Sequence, residues 1–278
     1  MPLTHEDSVA QEDCSVAVLQ KHPPRPKIDH DARALAYQSF SLAEQRKAIC
    51  FLKDGVISYD PDLSASDVKQ LDQLYQQVNC IKAQNLTIMG GRQELCLTLA
   101  DIHKLPSRLR KKLFSAFNEA HVQHYFGSNS IHVFGVRFHI TEGGANAQDW
   151  HKDVPFSYVN TVVTNIVAFK PNARAAVATE VVRGSMSVSM SCDFTDGRCT
   201  KRAKVATRAS DTDAAIMFDS ALIHRGGANK TKDRCVKIIV AYVNDNAHHD
   251  ARKIEIAFVG ESQPAVAHDQ HWSLNQLR

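Results

Sequence analysis

The sequence predicts a mainly β chain, a β-sandwich or jelly roll flanked by N-terminal helices, and three observations lead there. Beyond about residue 130, short runs rich in β-branched residues recur at Val133–Ile140, Thr161–Phe169, Val177–Val182, Ala214–Phe218 and Val236–Val243. Clusters of Gly, Asn, Asp and Pro separate them. No helical pattern sits between these runs, which excludes a parallel βαβ arrangement, whereas helical patterns do precede them.

The N-terminal elements follow from local signals. Residues 1–36 are expected to form a partly irregular arm, because Lys21-His22-Pro23-Pro24-Arg25-Pro26-Lys27 can hold neither a helix nor a central strand. Ser41 with Glu44 makes a capping box for a short helix through about Cys50, and Asp54-Gly55 then turns the chain into a strand at Val56–Tyr59. Ser64 or Ser66 caps a second helix with Val68, Leu71, Leu74, Tyr75 and Val78 on one stripe. Leu95–Leu99 alternates as a strand should. Pro106 opens a helix whose buried face is Leu109, Leu113, Phe117 and Ala120.

At 278 residues, one large domain over 37–278 is expected, with its β core at about 131–246. Lys and Arg number 33 against 30 Asp and Glu, so charge gives no reason to expect nucleic acid. Seven cysteines with no C-x-x-C pair suit free thiols in a reducing compartment, and no segment has the length of a membrane span. A cytoplasmic protein is the expectation; oligomeric state is not legible. Residues 186–212 interrupt the β region with Arg198, Lys201, Arg202, Lys204 and Arg208. So long a connection is a solvated loop or a lid over an anionic substrate.

The chemistry sits in His151-Lys152-Asp153, answered by His224 and then Arg234. In a strand, i and i+2 share a face, so His151 and Asp153 can converge on one ion. A second imidazole, from His224, completes a two-His, one-carboxylate set with open positions, which suits non-haem Fe(II). The alternative for His151 and Asp153 alone is a structural hydrogen-bonded pair. Arg234 opens the apolar run Cys235–Tyr242, whose antiparallel return would bring a guanidinium back towards His224. There it would clamp the far carboxylate of a 2-oxo acid through parallel hydrogen bonds. Trp150, Phe156 and Tyr158 are pocket or packing residues. His248-His249-Asp250 and His268-Asp269-Gln270-His271 are expected in solvated ends, and Gly90-Gly91 lacks the continuation of a phosphate loop.

These features resemble the phytanoyl-CoA dioxygenase family of Fe(II)/2-oxoglutarate oxygenases over about residues 42–245. Phe51-Leu52-Lys53-Asp54-Gly55-Val56-Ile57 is similar to that family's opening Phe-x-x-Asp-Gly strand, and Ala215–Asn229 to its strand, distal His and Gly/Asn loop. Thr179–Met186 is similar to its turn before the variable loop, with Arg183 and Met186 departing from the usual Pro-Gly-Ser-His. The resemblance implies a double-stranded β-helix (jelly roll, cupin-like), with His151, Asp153 and His224 on iron and Arg234 on the 5-carboxylate of 2-oxoglutarate. Thr164, Asn165, Arg137 and Gln148 are further cosubstrate candidates whose orientation turns on strand register. It also implies hydroxylation, desaturation or another oxidation of a small organic molecule with O2, giving succinate and CO2. Halogenases of the lineage carry a small residue where Asp153 stands, so halogenation is not expected. The alternatives are a cupin-like metalloenzyme that does not use 2-oxoglutarate and a non-catalytic ligand-binding relative.

Overall fold

The computed structural model describes residues 28–81, 86–88, 91–154, 159–169, 179–187, 205–206, 215–244 and 272–278. Its helices are α1 (His30–Gln38), α2 (Leu42–Asp54), α3 (Ala65–Ile81), α4 (Leu99–His103), α5 (Ser107–Leu113), α6 (Ala116–Phe126) and α7 (Leu274–Leu277). The strands are β1 (Val56–Tyr59), β2 (Leu86–Ile88), β3 (Arg92–Cys96), β4 (Ile131–Thr141), β5 (Val162–Ala168) and β6 (Thr179–Val182). Then come β7 (Val205–Ala206), β8 (Ala215–Asp219), β9 (His224–Gly226), β10 (Cys235–Asn244) and β11 (Trp272–Ser273).

Two antiparallel sheets face each other. The larger runs β1-β8-β5-β10-β4-β3-β2, with β11 paired to β4, and the smaller runs β7-β6-β9. This is the expected jelly roll with helices on one side. Alternation along β10 shows how the layers divide. Val236, Ile238, Val240 and Tyr242 join the large core with Phe51, Leu71, Leu109 and Tyr125 of the helices. Lys237 and Ile239, one residue out of phase, face the cavity between the sheets. Val56, Val181, Phe218 and Leu222 fill part of the space between the sheets.

Local chemistry explains the helix ends. The Ser41–Glu44 capping box is present, and α2 runs on to Asp54 because Gly55 adopts φ 72° and stops it there. Ser64, rather than Ser66, caps α3: its hydroxyl accepts from the Asp67 amide while the Asp67 carboxylate accepts from Ser64 N–H.

Four expectations change. Residues 30–36, assigned to the irregular arm, belong to α1, capped by Asp29 and tied to α6 through Arg33, which donates to the carbonyls of His124 and Tyr125. The Leu95–Leu99 run is strand only to Cys96, because Thr98 and Asp101 form a capping box that starts α4. The helix after Pro106 is two helices, since Ser115 caps a new one by accepting from Asn118 N–H. Residues Arg225 and Gly226, expected in a loop, extend β9, which pairs with β6 rather than with the following strand. The proline-rich stretch 21–27, most of 186–212 and the histidines of 248–249 and 268–271 lie outside the described residues. Among the described residues no helix is long and apolar enough to cross a membrane.

Candidate metal centre

His151 stands apart from the named strands and forms a single antiparallel bridge with His224 of β9. Its N–H donates to the His224 carbonyl at 2.9 Å, and its carbonyl accepts from His224 N–H at 2.8 Å. Asp153 lies beyond, in a bend whose N–H donates to the Ser220 carbonyl at 3.0 Å. The pair His151 and Asp153 therefore converges through a turn anchored to the β8–β9 link, not through one continuous strand.

The donor atoms meet. His224 Nε2 is 3.4 Å and His151 Nε2 3.8 Å from Asp153 Oδ1, and all three ligand atoms lie within 4.8 Å of one another. Each imidazole engages a backbone carbonyl through Nδ1, Asp149 at 2.8 Å for His151 and Leu222 at 2.9 Å for His224. With Nδ1–H donated to a carbonyl, Nε2 keeps its lone pair and points it at the centre, the tautomer a metal requires. Burial alone would push the Asp153 carboxyl up, but His224 above all, then His151 and Arg137, hold it below the usual carboxylate range. Burial and the neighbouring His224 together push His151 down, so it is ready to bind as a neutral ligand. Burial would lower His224, but Asp153 and the Leu222 carbonyl hold it above the usual imidazole range. A cation would displace its proton and leave two nitrogen donors and one carboxylate, a set that fits a divalent ion with open positions.

The centre opens into a cavity of about 270 Å³. Its floor follows the sheet register. Glu94, His139 and Lys237 occupy one row across β3, β4 and β10, and Arg137, Ile239 and Ile166 the next. Arg137 Nε lies 3.1 Å from Glu94 Oε1. Burial and the neighbouring cations Lys237, Arg137 and Arg92 push His139 down to about 3, so its imidazole is neutral. The Phe218 ring lies 4.7 Å from that of His224 and supplies an apolar wall.

Of the further sequence candidates, Thr164, Arg137 and Gln148 line this cavity. Thr164 hydrogen-bonds the Ser220 hydroxyl at 2.8 Å, and Gln148 Oε1 accepts from Gly226 N–H at 2.9 Å. Asn165 does not belong: it faces the helical layer, where Tyr59 donates to its Oδ1 at 3.0 Å. Arg234 does not belong either. It is outside the cavity and exposed, bonded to Glu142 at 3.0 and 2.8 Å and to the Tyr75 hydroxyl at 3.0 Å. The expected return towards His224 fails because β10 pairs with β4 and β5, not β9. Trp150 packs against Arg225, whose guanidinium carbon sits 4.4 Å from the ring centroid; Phe156 and Tyr158 lie outside the described residues.

Sequence reasoning missed Glu94, His139 and Lys237. The signals were present: Arg137-x-His139 has the period of a strand face, and Lys237 is the lone charge in an otherwise apolar buried run.

Solved structures share the fold. The epimerase SnoN from nogalamycin biosynthesis, in complex with Fe3+, alpha ketoglutarate and nogalamycin RO, is 16% identical with a TM-score of 0.57, over 82% of this chain and 93% of its own. EctD from S. alaskensis with 2-oxoglutarate and 5-hydroxyectoine is 17% identical with a TM-score of 0.55, over 79% of this chain and 82% of its own. AviO1 from Streptomyces viridochromogenes Tue57 is 16% identical with a TM-score of 0.53, over 74% and 97%. Among curated protein sequences none matches significantly. The family model for phytanoyl-CoA dioxygenase (PhyH) matches residues 51–236, which include all three donors of the centre, and the chain belongs to that family.

Proposed function

We propose that this protein is an Fe(II)- and 2-oxoglutarate-dependent dioxygenase that oxidises, most simply hydroxylates, a small organic molecule. The observation that carries this reading is the convergence of His151 Nε2, His224 Nε2 and Asp153 Oδ1 in the wall of one cavity. These three residues would hold the iron. When bound, iron with 2-oxoglutarate and O2 supplies an oxidant strong enough for an unactivated C–H bond, with succinate and CO2 as coproducts. The chain's own task is to orient the reactants and exclude water. Backbone carbonyls fix both imidazoles, and Phe218, Ile166 and Ile239 supply the apolar part of the lining.

The cavity volume suits small ligands. SnoN and EctD are seen with small molecules bound, which supports a substrate of that class here. An intact carboxylate at Asp153 favours hydroxylation or desaturation over halogenation. The complete donor set also favours an enzyme over a ligand-binding relative. A cytoplasmic setting belongs to the same proposal, supported by Cys50, Cys96 and Cys235, which are thiols rather than disulfides.

The test is succinate release from 2-oxoglutarate by purified protein. It is expected to require Fe(II) and O2 and to vanish in Asp153→Ala. Turnover that survives in Asp153→Ala, or that proceeds without 2-oxoglutarate, overturns the reading.

A further inference from the structure

The keto acid assigned above carries a second carboxylate, which loses water on entering the cavity and is best met there by a cation. Three Lys and Arg side chains line this one: Arg137, Lys152 and Lys237. Arg137 is already beside the Glu94 carboxylate at 3.1 Å. Lys152 donates to the Ser185 and Met186 carbonyls at 3.0 and 2.9 Å and so holds the turn after β6. Arg92 is not among the lining residues and donates to the Gly226 and Gly227 carbonyls.

Lys237 differs from all of these. It is 4% exposed, its side chain faces the cavity, and it has no hydrogen-bond or ion-pair partner among the described residues. An ammonium held this way is costly unless something outside the protein completes it. Burial lowers its affinity for a proton, and a carboxylate bound beside it would raise that affinity again. Lys237 shares its register row with His139 and Glu94, one row further along the sheet than Arg137. Arg234, three residues earlier, falls on the opposite face and is taken up by Glu142 and Tyr75.

We infer that Lys237, not Arg234, is the cation that holds the far carboxylate of the keto-acid cosubstrate, an assignment that rests on the proposed function. Neutral His139, its neighbour across β4, supplies a second polar contact without adding charge. A lysine gives a point charge with three rotatable donors where an arginine would give a planar fork.

The experiment is anaerobic titration of Fe(II)-loaded protein with 2-oxoglutarate and with 2-oxopentanoate, which lacks the far carboxylate. Binding is read from the visible charge-transfer band. Wild type should prefer 2-oxoglutarate. Lys237→Met should lose about tenfold to a hundredfold in 2-oxoglutarate affinity and nothing for 2-oxopentanoate, so the preference collapses. Arg234→Ala should keep it, and Lys237→Arg should restore part of it. Fe(II) binding without keto acid should be unchanged in all. Because Lys237 has no hydrogen-bond or ion-pair partner among the described residues, Lys237→Met should melt no lower than wild type. A marked fall in Tm, an unchanged preference in Lys237→Met, or a collapse in Arg234→Ala overturns the inference. Wild type that binds Fe(II) but not 2-oxoglutarate overturns the proposed function itself.

Discussion

His151 and His224 exchange main-chain hydrogen bonds in both directions, at 2.9 and 2.8 Å, so their imidazoles are paired by backbone before any metal arrives. Their rings lie 4.5 Å apart, centroid to centroid. The proximity therefore does not depend on either side chain. His151→Ala and His224→Ala should each keep the fold while losing metal. Removing partners of metal ligands costs roughly 10–100-fold in affinity, so removing a ligand itself should cost more than ~100-fold. Metal content after gel filtration checks the first part and circular dichroism the second. A variant that unfolds would mean the imidazole holds the bridge rather than the reverse.

Gln148 and Gly226 fix the rim of the cavity together. The Gln148 amide oxygen accepts from Gly226 N–H, and a Cβ at position 226 would come within 2.5 Å of that oxygen and 3.4 Å of Arg92 Nε. The nearest atom is the end of a flexible side chain, so Gly226→Ala should displace Gln148 rather than break the fold. Stability should change by less than ~1.5 kcal/mol. Turnover should respond more, with KM for the primary substrate or cosubstrate raised severalfold. Equal kinetics in Gly226→Ala and wild type would show that Gln148 has no part in binding.

Most of the frame was legible because it rests on local chemistry. The Ser41–Glu44 capping box and the β-branched runs each act within a few residues and appear where expected, whereas the helix runs past the expected Cys50 to its stop at Gly55. The candidate metal donors were legible for a related reason: His151, Asp153 and His224 are residue types with few other reasons to share that pattern. What could not be read was strand partnership. Arg234 was placed by assuming that β10 returns beside β9, and the sheet instead inserts β10 between β4 and β5. Face assignment then inverts, so Lys237 enters the cavity and Arg234 leaves it. Asn165 fails in the same way, one residue out of phase with Thr164.

Beneath the centre, the Asp219 carboxylate accepts from the Tyr125 hydroxyl at 2.6 Å, Asn160 N–H at 2.8 Å and Ala221 N–H at 2.7 Å. Burial nevertheless dominates these bonds and raises Asp219 to about 6. A carboxyl raised in the folded state binds a proton there that the unfolded chain, titrating near 3.9, does not. Its contribution to stability is complete below about pH 4 and lost as pH rises through 6, a change of ~2–3 kcal/mol. Urea midpoints between pH 4 and 7 should show this component, and Asp219→Asn should lack it. Tyr125→Phe, which takes away one donor from the buried charge, should cost ~1–3 kcal/mol at pH 7.

Asp67 should behave with the opposite sign. Its side chain is 5% exposed, and it links the start of α3 to α5 through Lys112 at 2.9 Å. Burial would raise this carboxyl, but Lys112 and the Ser64 hydroxyl and amide outweigh it and hold Asp67 at about 2. A depressed carboxyl stabilises the fold above its unfolded value and loses that contribution as pH falls, here between about 4 and 2. Solvent beside Lys112 screens the pair, so a contribution of ~1–2 kcal/mol is expected. Asp67→Asn should therefore lower stability at pH 7 and flatten the acid limb of the unfolding profile. Lys112→Met should give part of the same loss and leave Ser64 capping α3. If the acid limb keeps its slope in Asp67→Asn, another carboxylate governs acid unfolding. If Lys112→Met matches wild type at pH 7, the Ser64 bonds alone hold Asp67 down.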